Sequence, residues 1–234
     1  MKKIFLLAGI VLYLSSCSPA SKTSYWNAAG IYGNAADTLI TQSLFTDKNS
    51  TITEENIQKV LDGNIQLPQN LRVAVIRLDN DGRRYWNDED YQKMNQAYMD
   101  LLTEQLKKSG RVVKVSSIPD LLISRPLNFT SVREAAVRMQ ADIAVVYSIT
   151  GDTYSRYKLF SKSEYKAFAN TQLIILDIRT GLVPFSTVIT RDMTGQKKED
   201  ELDIAETRRR IQHEAALLTL ADIGGKLDEF FEKK

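Results

Sequence analysis

Apolar residues change their spacing several times along this chain, and each change predicts an element. Residues 71–78 (LRVAVIRL) place basic residues around a Val-Ala-Val-Ile centre, which predicts a strand buried on at least one face. The acidic, glycine-containing stretch 79–82 then reads as a turn. Tyr91, Met94, Tyr98, Leu101, Leu102 and Leu106 follow helical spacing, and Ser109-Gly110 ends that helix. A second strand is expected over 111–115. A capping box of Ser131 and Glu134 opens a helix reaching Met139. Residues 143–150 (IAVVYSIT), apolar on both faces, read as a third strand. Residues 171–178 and 183–191 read as strands four and five around an Arg-Thr-Gly turn. A last helix is expected from about 203 to 231, with Ile204, Ile211, Ala215, Leu218, Leu227 and Phe230 on or near one stripe. Gly224-Gly225 is expected to weaken it by about 1 kcal/mol per glycine relative to alanine.

The order is β-α-β-α-β-β-β-α. Helical crossovers demand parallel neighbours among the first three strands, and a tight turn demands an antiparallel pair for the last two. The fold class is therefore α/β: a mixed sheet of about five strands with helices packed on it, occupying residues 69–234. Upstream, residues 31–68 form an arm with one short helix over 53–62, capped by Thr53 and stopped by Gly63. Residues 31–50 show no clean period.

The N-terminus follows a different rule. Lys2 and Lys3 precede an apolar run over 4–14, well short of the roughly 20 residues a spanning helix needs. Leu14-Ser15-Ser16-Cys17 follows directly and holds the only cysteine of the chain. A small-residue pair before a cysteine resembles the bacterial lipoprotein cleavage site. Residues 1–16 are then a signal peptide, Cys17 is the lipidation site and first mature residue, and 17–30 is a small, polar tether. Lipid on Cys17 would join the protein to a membrane of the bacterial envelope, and Ser18 is compatible with sorting to the outer membrane.

Charge then looks different. The chain has 31 Lys+Arg against 29 Asp+Glu, but cleavage removes Lys2 and Lys3 and no acid, so the mature charge is zero. No nucleic-acid partner is expected on that balance. With no second cysteine there is no disulfide, and a packed core must supply stability.

Three segments carry a further resemblance. Residues 141–150 (ADIAVVYSIT), 173–181 (LIILDIRTG) and 71–78 followed by Asp-Asn-Asp-Gly are similar to motifs of envelope proteins related to the curli-secretion lipoprotein CsgG. That fold also occurs in the lipoprotein activator of penicillin-binding proteins and in the amino-terminal domain of TolB. The resemblance spans about residues 71–195. It implies a non-enzymatic, protein-binding adaptor of envelope machinery, or alternatively a subunit of an outer-membrane export assembly, with a homo-oligomer possible. Against a channel stands the insertion 151–169. Its Arg156, Lys158, Lys162, Glu164 and Lys166 leave no face free of charge, whereas a membrane strand of about 9–11 residues needs one lipid-facing side.

Candidate sites are few. Gly181 supplies the positive φ a short hairpin needs, and Asp177 or Thr180 can bond nearby backbone N–H groups. Arg83, Arg84, Tyr85 and Trp86 share the loop after the first strand; the group is either a partner-binding surface or a tryptophan folded onto the core edge. Asp79, Asp81, Asp88, Glu89 and Asp90 surround Gly82 without the EF-hand spacing, so no metal is assigned. His213, the only histidine, reads as a solvated helix residue, and so does the run Arg208-Arg209-Arg210. No catalytic residue and no cofactor is assigned.

Overall fold

The computed structural model describes residues 57, 60–62, 65–78, 89–124, 127–156 and 163–232. Cys17, the tether, residues 31–50 and the loop holding Arg83, Arg84, Tyr85 and Trp86 lie outside the described residues. Of the helix expected over 53–62, Ile57, Val60 and Leu61 are described, and they are helical.

Five strands and three long helices alternate as the sequence pattern requires. They are β1 (Leu71–Arg77), α1 (Glu89–Lys108), β2 (Val112–Ser117), α2 (Phe129–Arg138), β3 (Ile143–Arg156), β4 (Glu164–Asp177), β5 (Phe185–Gln196) and α3 (Ile204–Glu232). The sheet order is β2-β1-β3-β4-β5. β1 is parallel to both β2 and β3, while β4 is antiparallel to β3 and to β5. α1 and α3 pack on one face, around Val73, Val75, Tyr147, Leu173 and Ile175. α2 covers Ala74, Ile76, Ala144, Val146 and Leu176 on the other. Period-2 alternation in the strands thus serves two cores at once.

The expected insertion 151–169 is corrected. Residues 151–156 and 164–169 are the continuation of β3 and β4, paired without a break from Gly151↔Ala169 to Arg156↔Glu164. Tyr165, Ala167 and Ala169 alternate inward, and small side chains there gave little hydrophobic signal. Gly151 is needed for space: a β-carbon would meet the carbonyl of Phe168 and lie 3.3 Å from the Ala169 Cα.

The start of α2 also moves. Asn128, not Ser131, is the N-cap; its side chain accepts from Ser131 N at 2.7 Å, and Ser131 Oγ accepts from Asn128 N at 3.0 Å. Both residues are cap formers, so the box was displaced by three positions. On α3 the buried ridge is Thr207, Ile211, Ala215, Thr219, Ile223, Leu227 and Phe231, one residue in four. Ile204 and Leu218 of the expected stripe are 40% and 44% exposed. Two threonines hide in this ridge: Thr219 Oγ1 meets Thr171 Oγ1 of β4, and Thr207 Oγ1 donates to Glu201 at 2.7 Å.

Candidate functional site

β1 is the pivot of the sheet. From it the chain crosses to β2 on one side, whereas from β3 it continues to β4 on the other. Open α/β sheets commonly place ligand sites at the carboxyl ends of strands where order reverses in this way. Arg77, the last residue of β1, stands opposite Tyr147 of β3, and Leu78 N donates to the Tyr147 carbonyl at 2.7 Å. Beyond that point β3 runs on to Arg156 with β4 as its strand partner. A step therefore forms at the end of β1.

Side chains from three elements line the α1–α3 side of this step. The Arg77 guanidinium lies 5.8 Å from the ring centre of Tyr91 and 5.4 Å from that of Tyr98, and it hydrogen-bonds the Asn95 side chain. Tyr91, Asn95 and Tyr98 share one face of α1 by their spacing of four and three. Burial pushes the Tyr98 phenol up to about 12, against the opposing pull of Arg77. Tyr98 in turn tilts against His213 of α3, ring centres 4.9 Å apart.

His213 is half-buried, which corrects the solvated reading. Desolvation lowers its pKa, with the Glu214 charge acting the other way. Its Nδ1 is shielded from solvent and has no hydrogen-bond partner among the described residues. Contacts between side chains so distant in the chain leave no local pattern to read.

The solvated reading of the arginine run is corrected for Arg208 and Arg210, while Arg209 is exposed. Arg210 gives Nε to Glu201, Nη1 to Glu214 at 3.1 Å and Nη2 to the Gln196 carbonyl at 2.9 Å. Glu201 also accepts from Lys198 N at 2.8 Å, and these donors pull its carboxyl down to about 2, the Arg210 bond most of all. Arg208 reaches Ser155 Oγ at 3.2 Å, and Arg209 lies 3.8 Å from Asp90. Arg208 and Arg210 therefore fasten the start of α3 to the ends of β3 and β5.

Asp177, Thr180 and Gly181 form the turn between β4 and β5. The Asp177 carboxylate accepts from Arg179 N at 3.2 Å, from Thr180 N at 3.3 Å and from the Thr180 hydroxyl. Gly181 sits at φ +76° and donates its N–H to the Asp177 carbonyl at 2.8 Å. From α2, Arg133 donates to the carbonyls of Ile178 and Arg179, both at 2.6 Å. A second clamp joins Arg72 of β1 to the buried Asp142: backbone N, Nε and Nη2 all donate to that carboxylate, at 2.8–3.0 Å. Asp142 is held below the usual carboxylate range, first by the Arg72 hydrogen bond and against the effect of burial. Both arrangements build structure: the carboxylates of Asp177 and Asp142 each take their donors from within the domain.

The comparisons with known proteins concern the N-terminus and the fold. Among solved structures, the chain is similar to PelC of Paraburkholderia phytofirmans, in a structure titled as a dodecamer, at 17% identity and a TM-score of 0.39, covering 69% of this chain and 90% of that one. It is similar to the hypothetical protein CT253 of Chlamydia trachomatis at 10% identity and a TM-score of 0.42, covering 69% and 98%. It is also similar to a minor lipoprotein of Acinetobacter baumannii at 11% identity and a TM-score of 0.30, covering 70% and 91%. No curated protein matches the chain. No helix among the described residues is long and apolar enough to cross a membrane. Residues 1–18 match the prokaryotic membrane lipoprotein lipid attachment site, and with Cys17 inside that match the chain is a lipid-anchored bacterial lipoprotein.

Proposed function

We propose that this lipoprotein is a non-enzymatic adaptor of envelope machinery, held at the periplasmic side of the outer membrane by lipid on Cys17 and capturing a protein partner at the carboxyl end of β1. The observation that carries the reading is the step between β1 and β3, floored by Arg77, Tyr91, Tyr98 and His213. An arginine packed on two tyrosines is a stiff base, because the side chains are already held by one another before any partner arrives. The sequence that follows β1 carries Arg83, Arg84, Tyr85 and Trp86, residue types enriched where binding energy concentrates. The resemblance to curli-secretion lipoproteins and their relatives supports an envelope role of this kind.

The test is capture of a crosslinked partner from intact envelopes, with Trp86→Ala compared to the native chain. The adaptor reading expects capture weakened by more than ~2 kcal/mol, the hot-spot threshold, with the melting temperature nearly unchanged. A large fall in melting temperature with undiminished capture per folded molecule places Trp86 in the core and ends the reading for this loop.

A further inference from the structure

The two edges of the sheet are built differently. β2 is six residues long, carries exposed Lys114, and its pairing with β1 shifts register between Leu71 and Arg72. Short length, lysine and irregularity are the usual protections of a sheet edge. β5 has none of these. It runs for 12 residues, about 40 Å at the usual rise, with unbroken register to β4 and no proline inside it. Its two charges are used within the molecule: Arg191 pairs with Asp222 of α3, and Asp192 with Lys166 of β4 at 2.8 Å. Among the described residues no strand lies on its outer side.

We propose that β5 pairs antiparallel with β5 of a second copy of this chain, about a two-fold axis at Ile189, joining the two sheets edge to edge. The register follows from charge and apolar matching. An axis at Arg191 or Asp192 sets like charges opposite one another, which is destabilising. An axis at Thr190 sets Val188 against Asp192 and Ile189 against Arg191. At Ile189 the strand instead pairs Ile189 with itself, Phe185 with Met193, Val188 with Thr190, Thr187 with Arg191, and Ser186 with Asp192. Each charge stands opposite a hydroxyl residue and not opposite its like, and Phe185, Ile189 and Met193 meet apolar partners. An isologous contact of this kind closes on itself and gives a dimer.

The proposal is tested on the full-length lipidated protein in detergent, whose one native cysteine is occupied by lipid. The native protein should sediment as a dimer. Ile189→Cys should form a disulfide-linked dimer on mild oxidation, because facing residues of an antiparallel pair lie about 4.5–5.5 Å apart at Cα, within disulfide reach. Thr194→Cys, which faces no strand residue of the other copy in this register, should not. Val188→Lys combined with Thr190→Lys sets lysine opposite lysine on the solvent face; it should leave the melting temperature nearly unchanged and yield monomer. A native monomer at tens of micromolar, crosslinking no greater at 189 than at 194, or a dimer that survives the double lysine variant would each overturn the proposal. None of these readouts involves the loop 79–88, so the adaptor reading stands or falls separately.

Discussion

Gly224 of α3 rests on the side chain of Gln105 of α1: a β-carbon there would run into the amide and lie only 2.8 Å from the Gln105 Cγ. Gln105 is itself buried, so it has little room to yield. The glycine is therefore the point of close approach between the two helices that cover one face of the sheet. Its neighbour Gly225 meets nothing within 4 Å.

These adjacent glycines predict opposite responses. Gly224→Ala should destabilise the domain by about 1–3 kcal/mol, the usual cost of overpacking, even though alanine favours helix. Gly225→Ala should stabilise it by up to about 1 kcal/mol, since only helix propensity changes. Denaturant midpoints of the two variants check this directly. Equal effects would mean that α1 and α3 do not meet at Gly224.

Turn geometry gives a second prediction. Gly181 is at φ +76° and a β-carbon there would lie 3.1 Å from the Phe129 ring. Gly181→Val should cost roughly 1–3 kcal/mol from backbone strain, with the ring contact adding to it. An unchanged unfolding midpoint would contradict the turn.

The Glu201–Arg210 pair sets a pH dependence. Its carboxyl is lowered from 4.5 to about 2, so the stabilisation is fully present above pH 4.5 and is lost as pH falls towards 2. Glu201→Gln should be less stable than the native chain at neutral pH, and the gap should close between pH 4.5 and 2. A gap independent of pH across that window would show that the charge of Glu201 contributes nothing.

Much of the fold was legible because its strands and helices differ in period. β1, the apolar half of β3 and the turn at Asp177–Gly181 each carry a local signal, and two crossovers plus one hairpin dictate their relative directions. What escaped was encoded by contacts at a distance. The outer half of the β3–β4 hairpin alternates, but its inward residues Ala167 and Ala169 are too small to register as a core. The ridge of α3 contains Thr207 and Thr219, which are buried because Glu201 and Thr171 satisfy them. Likewise Arg77, Tyr98 and His213 come from three elements, and no local pattern links them until the sheet brings them together. The lipid attachment site lies at the opposite extreme, complete within residues 1–18.

That attachment site carries the central claim, and membrane fractionation of Cys17→Ser tests it most directly. Two or three acyl chains hold a protein firmly, whereas a mature body without them has only its surface. The account predicts that the native chain stays with membranes through a high-salt wash and that Cys17→Ser appears in the soluble fraction. Retention of Cys17→Ser on washed membranes, to the same extent as the native chain, would contradict it.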